Sequence, residues 1–191
     1  MVRAPSPIRP RLRVALAVAV LAAAPALVAS PTQDTPGAAA HGDAAQASRH
    51  AHATGDAWLD RQLADIDDYA VRYPEAFAAE LERYAGVPRA YVVGLLAQPG
   101  WSGGDAWFAC FLARAVEATC RAVVRSRTRA GVEADWKEIA AGFGARPGSD
   151  AYTAVRLALA DSYRRWGRPL QPDAALSRAL RQREQREQQQ P

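Results

Sequence analysis

Apolar residues recur at helical spacing along most of the chain, and no segment shows the strict alternation expected of a β-strand. Between residues 57 and 170, large apolar side chains return every three or four positions, as on the buried face of an amphipathic helix. The first such stretch places these apolar residues on one side: Trp58, Leu59, Leu63, Ile66, Ala70 and Tyr73. The pattern predicts one small all-α domain over residues 57–170.

Proline and glycine divide this region into about seven short helices. Pro74 ends the first helix and is well suited to begin the second, which is expected to stop at Gly86. Pro88 begins a third helix, and the Pro99-Gly100 pair ends it. The expected fold is therefore a compact bundle of short helices joined by tight loops.

Capping residues indicate where the later helices begin. Asp105 is expected to be the N-cap of a helix rich in aromatic residues, and Thr119 the N-cap of the next one. Helices near 133–143 and 150–166 complete the set and form a pair like a helix-turn-helix. Their connection, GARPGS, is longer than in DNA-binding pairs, and Asp150 would face the phosphates.

The first 29 residues have the pattern of a secretory signal peptide. MVRAPSPIRPRLR carries four arginines and no acid, and it precedes the apolar stretch VALAVAVLAAAPALVA. Cleavage is expected near Ala29, with the Ala38–Ala40 run as a second candidate. The apolar stretch is shorter than the roughly 20 residues of a membrane span, so a retained anchor is the weaker alternative. We expect a periplasmic or secreted protein with no stable membrane anchor after cleavage.

The segments that flank the predicted domain are poor in large apolar residues. Residues 30–56 contain no Val, Ile, Leu, Met, Phe, Trp or Tyr, and this composition predicts a disordered linker. Residues 171–191 are dominated by arginine, glutamine and glutamate, with Leu176 and Leu180 as the large apolar side chains. This end is expected to be a frayed polar helix or a disordered tail.

Export also changes how the net charge is interpreted. The chain has 24 Lys and Arg against 20 Asp and Glu, a formal net charge of +4. Arg3, Arg9, Arg11 and Arg13 all belong to the predicted signal peptide, and without them the balance is even. A nucleic-acid partner is therefore not expected, since such proteins need an excess of cationic side chains. DNA binding stays an alternative if the signal peptide is not used.

Cys110 and Cys120 are the two cysteines, and export to an oxidising compartment favours a disulfide between them. One straight helix would hold their α-carbons about 15 Å apart, whereas a disulfide requires less than about 7 Å. The bond therefore predicts a helix break near residues 117–119. Two buried free thiols are the alternative interpretation.

Residues typical of catalysis or metal binding are sparse in the predicted domain. His41, His50 and His52 all fall in the predicted linker, which leaves the domain without a histidine base, and we predict no metal, cofactor or catalytic residue. Residues 57–85 are rich in carboxylates: Asp60, Asp65, Asp67, Asp68, Glu75, Glu80 and Glu82. An envelope hydrolase that uses two of these carboxylates is the main enzymatic alternative.

An arginine stripe is the most distinctive charged feature of the domain. Arg121, Arg125 and Arg129 repeat at four-residue steps and so lie along one side of a helix. The stripe could bind an acidic partner, either an envelope protein or an anionic lipid surface. The alternative is that these arginines are solvated or pair with the acidic first helices.

The passage GGDAWFACFLARAVEATCRAVV, followed by DWKEIAAGFGARPGSDAY, resembles a family of small exported bacterial helical proteins. The resemblance covers residues 101–152, and these positions fit the family motif: Trp136, Ile139-Ala140, Gly144 and Pro147-Gly148-Ser149. Ala134, Asp135 and Lys137 stand where the family tends to have glycines, and Phe143 replaces a leucine. The resemblance implies an exported helical fold and brings no catalytic residues with it.

Taken with the predicted disulfide, these patterns indicate an exported helical module that binds a partner or has a structural role in the bacterial envelope. The carboxylate hydrolase and the DNA-binding protein are the two alternatives. The arginine stripe gives the first hypothesis its most specific candidate site.

Overall fold

The computed structural model describes residues 52–131 and 134–190. Within these residues the chain forms eight α-helices and no β-strand, which confirms the predicted all-α bundle. The helices are α1 Ala57–Arg72, α2 Pro74–Ala85, α3 Arg89–Leu96, α4 Gly103–Ala115, α5 Cys120–Ala130, α6 Trp136–Gly142, α7 Asp150–Arg165 and α8 Ala174–Gln189. The predicted signal peptide and its two candidate cleavage points lie outside the described residues.

Helix α4 forms the centre of the bundle. Every residue from Gly103 to Ala113 is buried, and α4 contacts α1, α2, α3, α5 and α7. A helix that is apolar on all sides can be stable only when neighbours cover it completely. The segment AWFACFLA has this composition, so its position at the centre follows from its sequence.

Side-chain caps explain where five of the helices begin. In each case a side-chain oxygen accepts a hydrogen bond from a backbone N–H of the first turn, which satisfies a donor that the helix leaves unpaired. The capping residues are Asp56, Ser102, Thr119, Ser149 and Asp173. Thr119 was predicted to act in this way, and the break before it was predicted near residues 117–119.

The prediction that Asp105 caps α4 is wrong. Ser102 is the N-cap, and Asp105 lies inside the first turn with its side chain fully buried. The helix begins earlier because Gly103 and Gly104 allow it to pack directly against the backbone of α1. A Cβ atom on Gly103 would lie 2.4 Å from the Cβ of Ala70, a distance that folded proteins do not tolerate.

The folded region begins before residue 57, so the linker predicted over residues 30–56 does not extend to its expected end. Residues 52–56 pack on the bundle, where the Thr54 carbonyl accepts a hydrogen bond from Tyr152 at 2.7 Å and the Ala53 carbonyl accepts one from the Lys137 N–H at 3.0 Å. This segment is held by polar contacts, which the pattern of apolar residues does not predict. Residues 30–51 lie outside the described part of the chain.

The C-terminal segment forms helix α8, and its first turns pack on the bundle. Leu176 is fully buried and Ala179 is largely so, whereas the later turns are polar and exposed. Arg156 of α7 binds the carboxylates of Asp56 and Asp173, the N-caps of α1 and α8, and its guanidinium lies over the Trp58 ring. One side chain therefore links the beginnings of the first and last helices.

None of the eight helices in the described ranges is long and apolar enough to cross a membrane.

Candidate functional site

The disulfide between Cys110 and Cys120 joins the core helix α4 to the first residue of α5. Their α-carbons are 4.3 Å apart, which is possible because α4 ends at Ala115 and the chain turns before α5 begins. Glu117 makes this turn with a positive φ of 55°, a conformation that few residues other than glycine adopt. The disulfide and the helix break thus occur together, as the sequence predicts.

Removing the disulfide should lower the free energy of unfolding by about 2 to 3 kcal/mol, because the bond restricts a short loop in the unfolded chain. The variant that tests this combines Cys110→Ala, which keeps a small apolar side chain at a buried position, with Cys120→Ser. Urea unfolding would measure the loss. The native protein treated with a reducing agent should show the same loss, and a variant as stable as the oxidised protein would contradict the prediction.

A cavity of about 330 Å³ lies beside this disulfide, and we call it the disulfide cavity. Its apolar lining includes Val87, Tyr91 and Ala113 as well as both cysteines. Two cationic side chains, Arg114 of α4 and Arg121 of α5, also line it. The cavity therefore combines an apolar interior with cationic groups.

The guanidinium groups of the disulfide cavity are open to an incoming anion. Arg114 and Arg121 are both exposed, and neither forms a salt bridge with any residue in the described part of the chain. The guanidinium of Arg121 lies 5.2 Å from the centre of the Tyr91 ring, which keeps it beside the cavity through a cation–π contact. Residue 121 is also in the first turn of α5, where the helix dipole adds partial positive charge.

The structure places the three predicted arginines at different distances from this cavity. All three are exposed on α5, but Arg121 lines the disulfide cavity, whereas Arg125 and Arg129 do not. Arg127, which was noted near the stripe, points into the protein and donates hydrogen bonds to the carbonyls of Gly131 and Ala134 at 2.7 Å. The cavity thus distinguishes Arg121 from the rest of the stripe, and that distinction depends on residues of α2, α3 and α4.

The structure corrects the prediction that all three histidines lie outside the domain. His52 is buried, with 1% of its surface exposed, between the carboxylates of Asp67 and Asp105. Its Nδ1 is 3.0 Å from Asp105 Oδ1, and its Nε2 is 3.1 Å from Asp67 Oδ2. We call these three residues the buried histidine cluster. His41 and His50 lie outside the described residues.

Two further hydrogen bonds fix the carboxylates of the buried histidine cluster. The indole Nε1–H of Trp136 donates to Asp105 Oδ1 at 2.5 Å, and the backbone N–H of Gly104 donates to Asp67 Oδ1 at 2.6 Å. The cluster therefore joins α1, α4 and α6 to the segment before α1.

The electrostatics of this cluster favour a charged histidine. Burial disfavours the imidazolium, but the hydrogen bonds and negative charges of Asp105 and Asp67 outweigh that effect and raise the pKa of His52 to about 9. At neutral pH both ring nitrogens carry protons and donate to carboxylates, so His52 has no lone pair with which to accept a proton. It serves as a buried structural cation.

Many carboxylates of α1 and α2 are engaged in pairs with side chains of other helices. Asp65 accepts hydrogen bonds from Tyr163 and Arg168, and Glu80 pairs with Arg165. Arg168, a partner of Asp65, lies 103 residues further along the chain, and Arg165, the partner of Glu80, lies 85 residues further. Both are on α7 or just after it, so helical spacing within α1 and α2 could not identify them.

A second cavity, of about 360 Å³, brings two acids together with aromatic residues. Asp65, Asp68, Tyr73 and Trp166 are among its lining residues. Asp65 accepts hydrogen bonds from Tyr163 and Arg168, and Asp68 is exposed, so the two acids do not share an enclosed apolar site.

Among residues 52–131 and 134–190, no group of three His, Cys, Asp or Glu side chains is arranged to hold a metal ion. No protein-family profile, curated protein or solved structure matches this chain.

Proposed function

We propose that this protein is an exported helical binding module of the bacterial envelope that holds an anionic ligand at the disulfide cavity. The observation that carries the proposal is the pair of exposed guanidiniums, Arg114 and Arg121, which have no salt-bridge partner among the described residues and lie beside an apolar cavity of about 330 Å³. Cavities of this size and character are typical of small-molecule sites, in which a few polar groups orient a largely apolar ligand.

Two further observations support the export part of the proposal. The leader pattern of residues 1–29 and a disulfide that joins α4 to α5 both suit a protein that functions in an oxidising compartment. The resemblance of residues 101–152 to small exported helical proteins agrees with the same location. The proposed partner of the module is thus an anionic molecule of the envelope.

The two alternative functions have weaker support. For a carboxylate hydrolase, Asp65 and Asp68 both line the second cavity, yet Asp65 forms a salt bridge with Arg168. For a DNA-binding protein, α6 and α7 are the relevant pair, but residues 143–149 separate them and the first residue of α7 is Asp150. At the disulfide cavity, two guanidiniums lie beside an apolar lining, which suits a ligand with one anionic group and one apolar part.

Binding of 8-anilinonaphthalene-1-sulfonate, a fluorescent anion with an apolar ring system, would test the proposal. We expect the native protein to bind it at one site, and the double variant Arg114→Gln, Arg121→Gln to bind it about tenfold more weakly, because charge-assisted contacts are lost. The matched control is Arg125→Gln, Arg129→Gln, which removes the same charge from exposed positions outside the cavity. Equal losses in the two double variants, or no binding by the native protein, would contradict the proposal.

A further inference from the structure

The lining of the disulfide cavity suits an aliphatic chain. Its accessible apolar surface comes from Ala85, Pro88 and Ala118 and from Cys120 of the disulfide, whereas Val87 and Ala113 lie beneath this surface and are almost fully buried. The Tyr91 ring forms a further wall. These groups offer dispersion contacts, and they gain most from a ligand that has no polar atoms along its length.

The charged groups of the cavity are of one sign. Arg114 and Arg121 are its charged lining residues, and no aspartate or glutamate contributes to the lining. A guanidinium donates two parallel hydrogen bonds to the two oxygens of a carboxylate, so these side chains favour a planar anion over a single point charge. A ligand that fits both the lining and the charge has an apolar chain and one anionic end.

We infer that the disulfide cavity binds a free fatty acid, with the acyl chain against Pro88, Tyr91 and Ala118 and the carboxylate on Arg114 and Arg121. This inference rests on the proposed function and names the ligand class for the same site. A volume of about 330 Å³ lies at the lower end of the range for small-molecule sites, so it suits one short or medium acyl chain. A phospholipid with two long chains would not fit.

Displacement of the bound fluorescent anion by hexanoate, octanoate and decanoate tests the inference. Each methylene that leaves water should tighten binding by roughly threefold to fourfold until the cavity is full. Acetate has the charge without the chain, and octan-1-ol has the chain without the charge. Both should displace the probe at least about tenfold less well than octanoate, since each makes only one of the two kinds of contact.

Two variants locate the acyl chain and the carboxylate. Ala118→Leu adds apolar bulk at a half-buried position of the lining and should weaken octanoate binding by about tenfold through steric exclusion. Arg121→Gln should weaken octanoate by about fivefold and leave octan-1-ol unchanged, because only the acid contacts the guanidinium. Arg125→Gln is the matched control and should change neither. Thermal unfolding of each variant would show that the fold is retained.

The possible results separate the inference from the proposed function. If the fluorescent anion still depends on Arg114 and Arg121 but no fatty acid displaces it, the fatty-acid inference fails and the proposed function stands. If the fluorescent anion itself shows no dependence on these arginines, both fail. Binding to phosphatidylglycerol vesicles through Arg121 without displacement by octanoate would assign the site to a membrane surface and overturn the inference.

Discussion

Gly104→Ala is expected to lower the free energy of unfolding by about 4 kcal/mol, the largest effect of any single substitution considered. A Cβ atom at residue 104 would lie 2.6 Å from the carbonyl oxygen of Leu63 and 2.7 Å from Cε1 of His52. The first contact is with the backbone of α1, which cannot yield without separating α1 from α4. Overpacking in a dense core costs about 1 to 3 kcal/mol, and a displaced buried ion pair adds to this cost.

Gly94→Ala is the matched control for this prediction. Gly94 is also a helical glycine, but it lies on α3 with no atom within 4 Å of its would-be Cβ. Alanine should therefore stabilise the protein by about 0.5 to 1 kcal/mol through its higher helix propensity. Urea unfolding of both variants measures the difference. A Gly104→Ala protein as stable as the native one would show that α1 and α4 are not packed as closely as described.

Raising the pH from 6 to 9.5 should cost the folded state about 3 kcal/mol through His52 alone. The pKa of this imidazole is 6.5 in an exposed chain and about 9 in the buried histidine cluster, so the folded state binds the proton more tightly. The stabilisation is fully present below about pH 6.5 and is lost as the pH rises through 9. Each unit of pKa difference corresponds to about 1.4 kcal/mol.

The His52→Asn variant identifies the source of this pH dependence. Asparagine does not titrate, so the variant should be less stable than the native protein at pH 6, and most of that difference should vanish at pH 9.5. Measurements stay below pH 10 because burial also raises the pKa of Tyr69 and Tyr152, whose ionisation in the unfolded chain would favour unfolding at higher pH. If both proteins show the same pH profile, His52 is not the cation of the cluster.

The local sequence predicts the helices well because their signals are local. Pro74 begins α2, Gly86 follows its last residue with a positive φ, and Thr119 caps α5, all of which depend on neighbouring backbone. The break before Thr119 followed from the two cysteines, because the geometry of a disulfide cannot be met within one straight helix. These predictions require no knowledge of distant contacts.

The buried histidine cluster could not be predicted in the same way. His52 lies 15 residues before Asp67 and 53 before Asp105, and neither separation has a pattern of its own. Segments without large apolar residues are usually disordered. His52 departs from this pattern because its charge is buried between two carboxylates. One signal was present: two consecutive glycines before Asp105 are costly at a helix start unless the helix needs to approach another backbone closely.

The disulfide cavity was not predicted. The predicted arginine stripe includes Arg121, but its four-residue spacing does not distinguish Arg121 from Arg125 or Arg129. That distinction arises because α2, the loop after it, α3 and α4 meet beside the first turn of α5. Arg114 has no spacing pattern that marks it as a site residue, because it is one isolated arginine near the end of an apolar helix.

Arg156 has a consequence for the order in which this chain can fold. Its partners Asp56 and Asp173 are more than a hundred residues apart, and the Trp58 indole N–H donates to the carbonyl of Gln171 at the same place. Contacts between such distant residues close large loops and so tend to form late. During synthesis, the contacts that join the beginning of the domain to the start of the last helix can therefore form only after residues 171–173 have been made. A ribosome-bound chain that lacks residues 171–173 would leave Arg156 with half of its bonds, and the first helix would stay less stable than in the released protein.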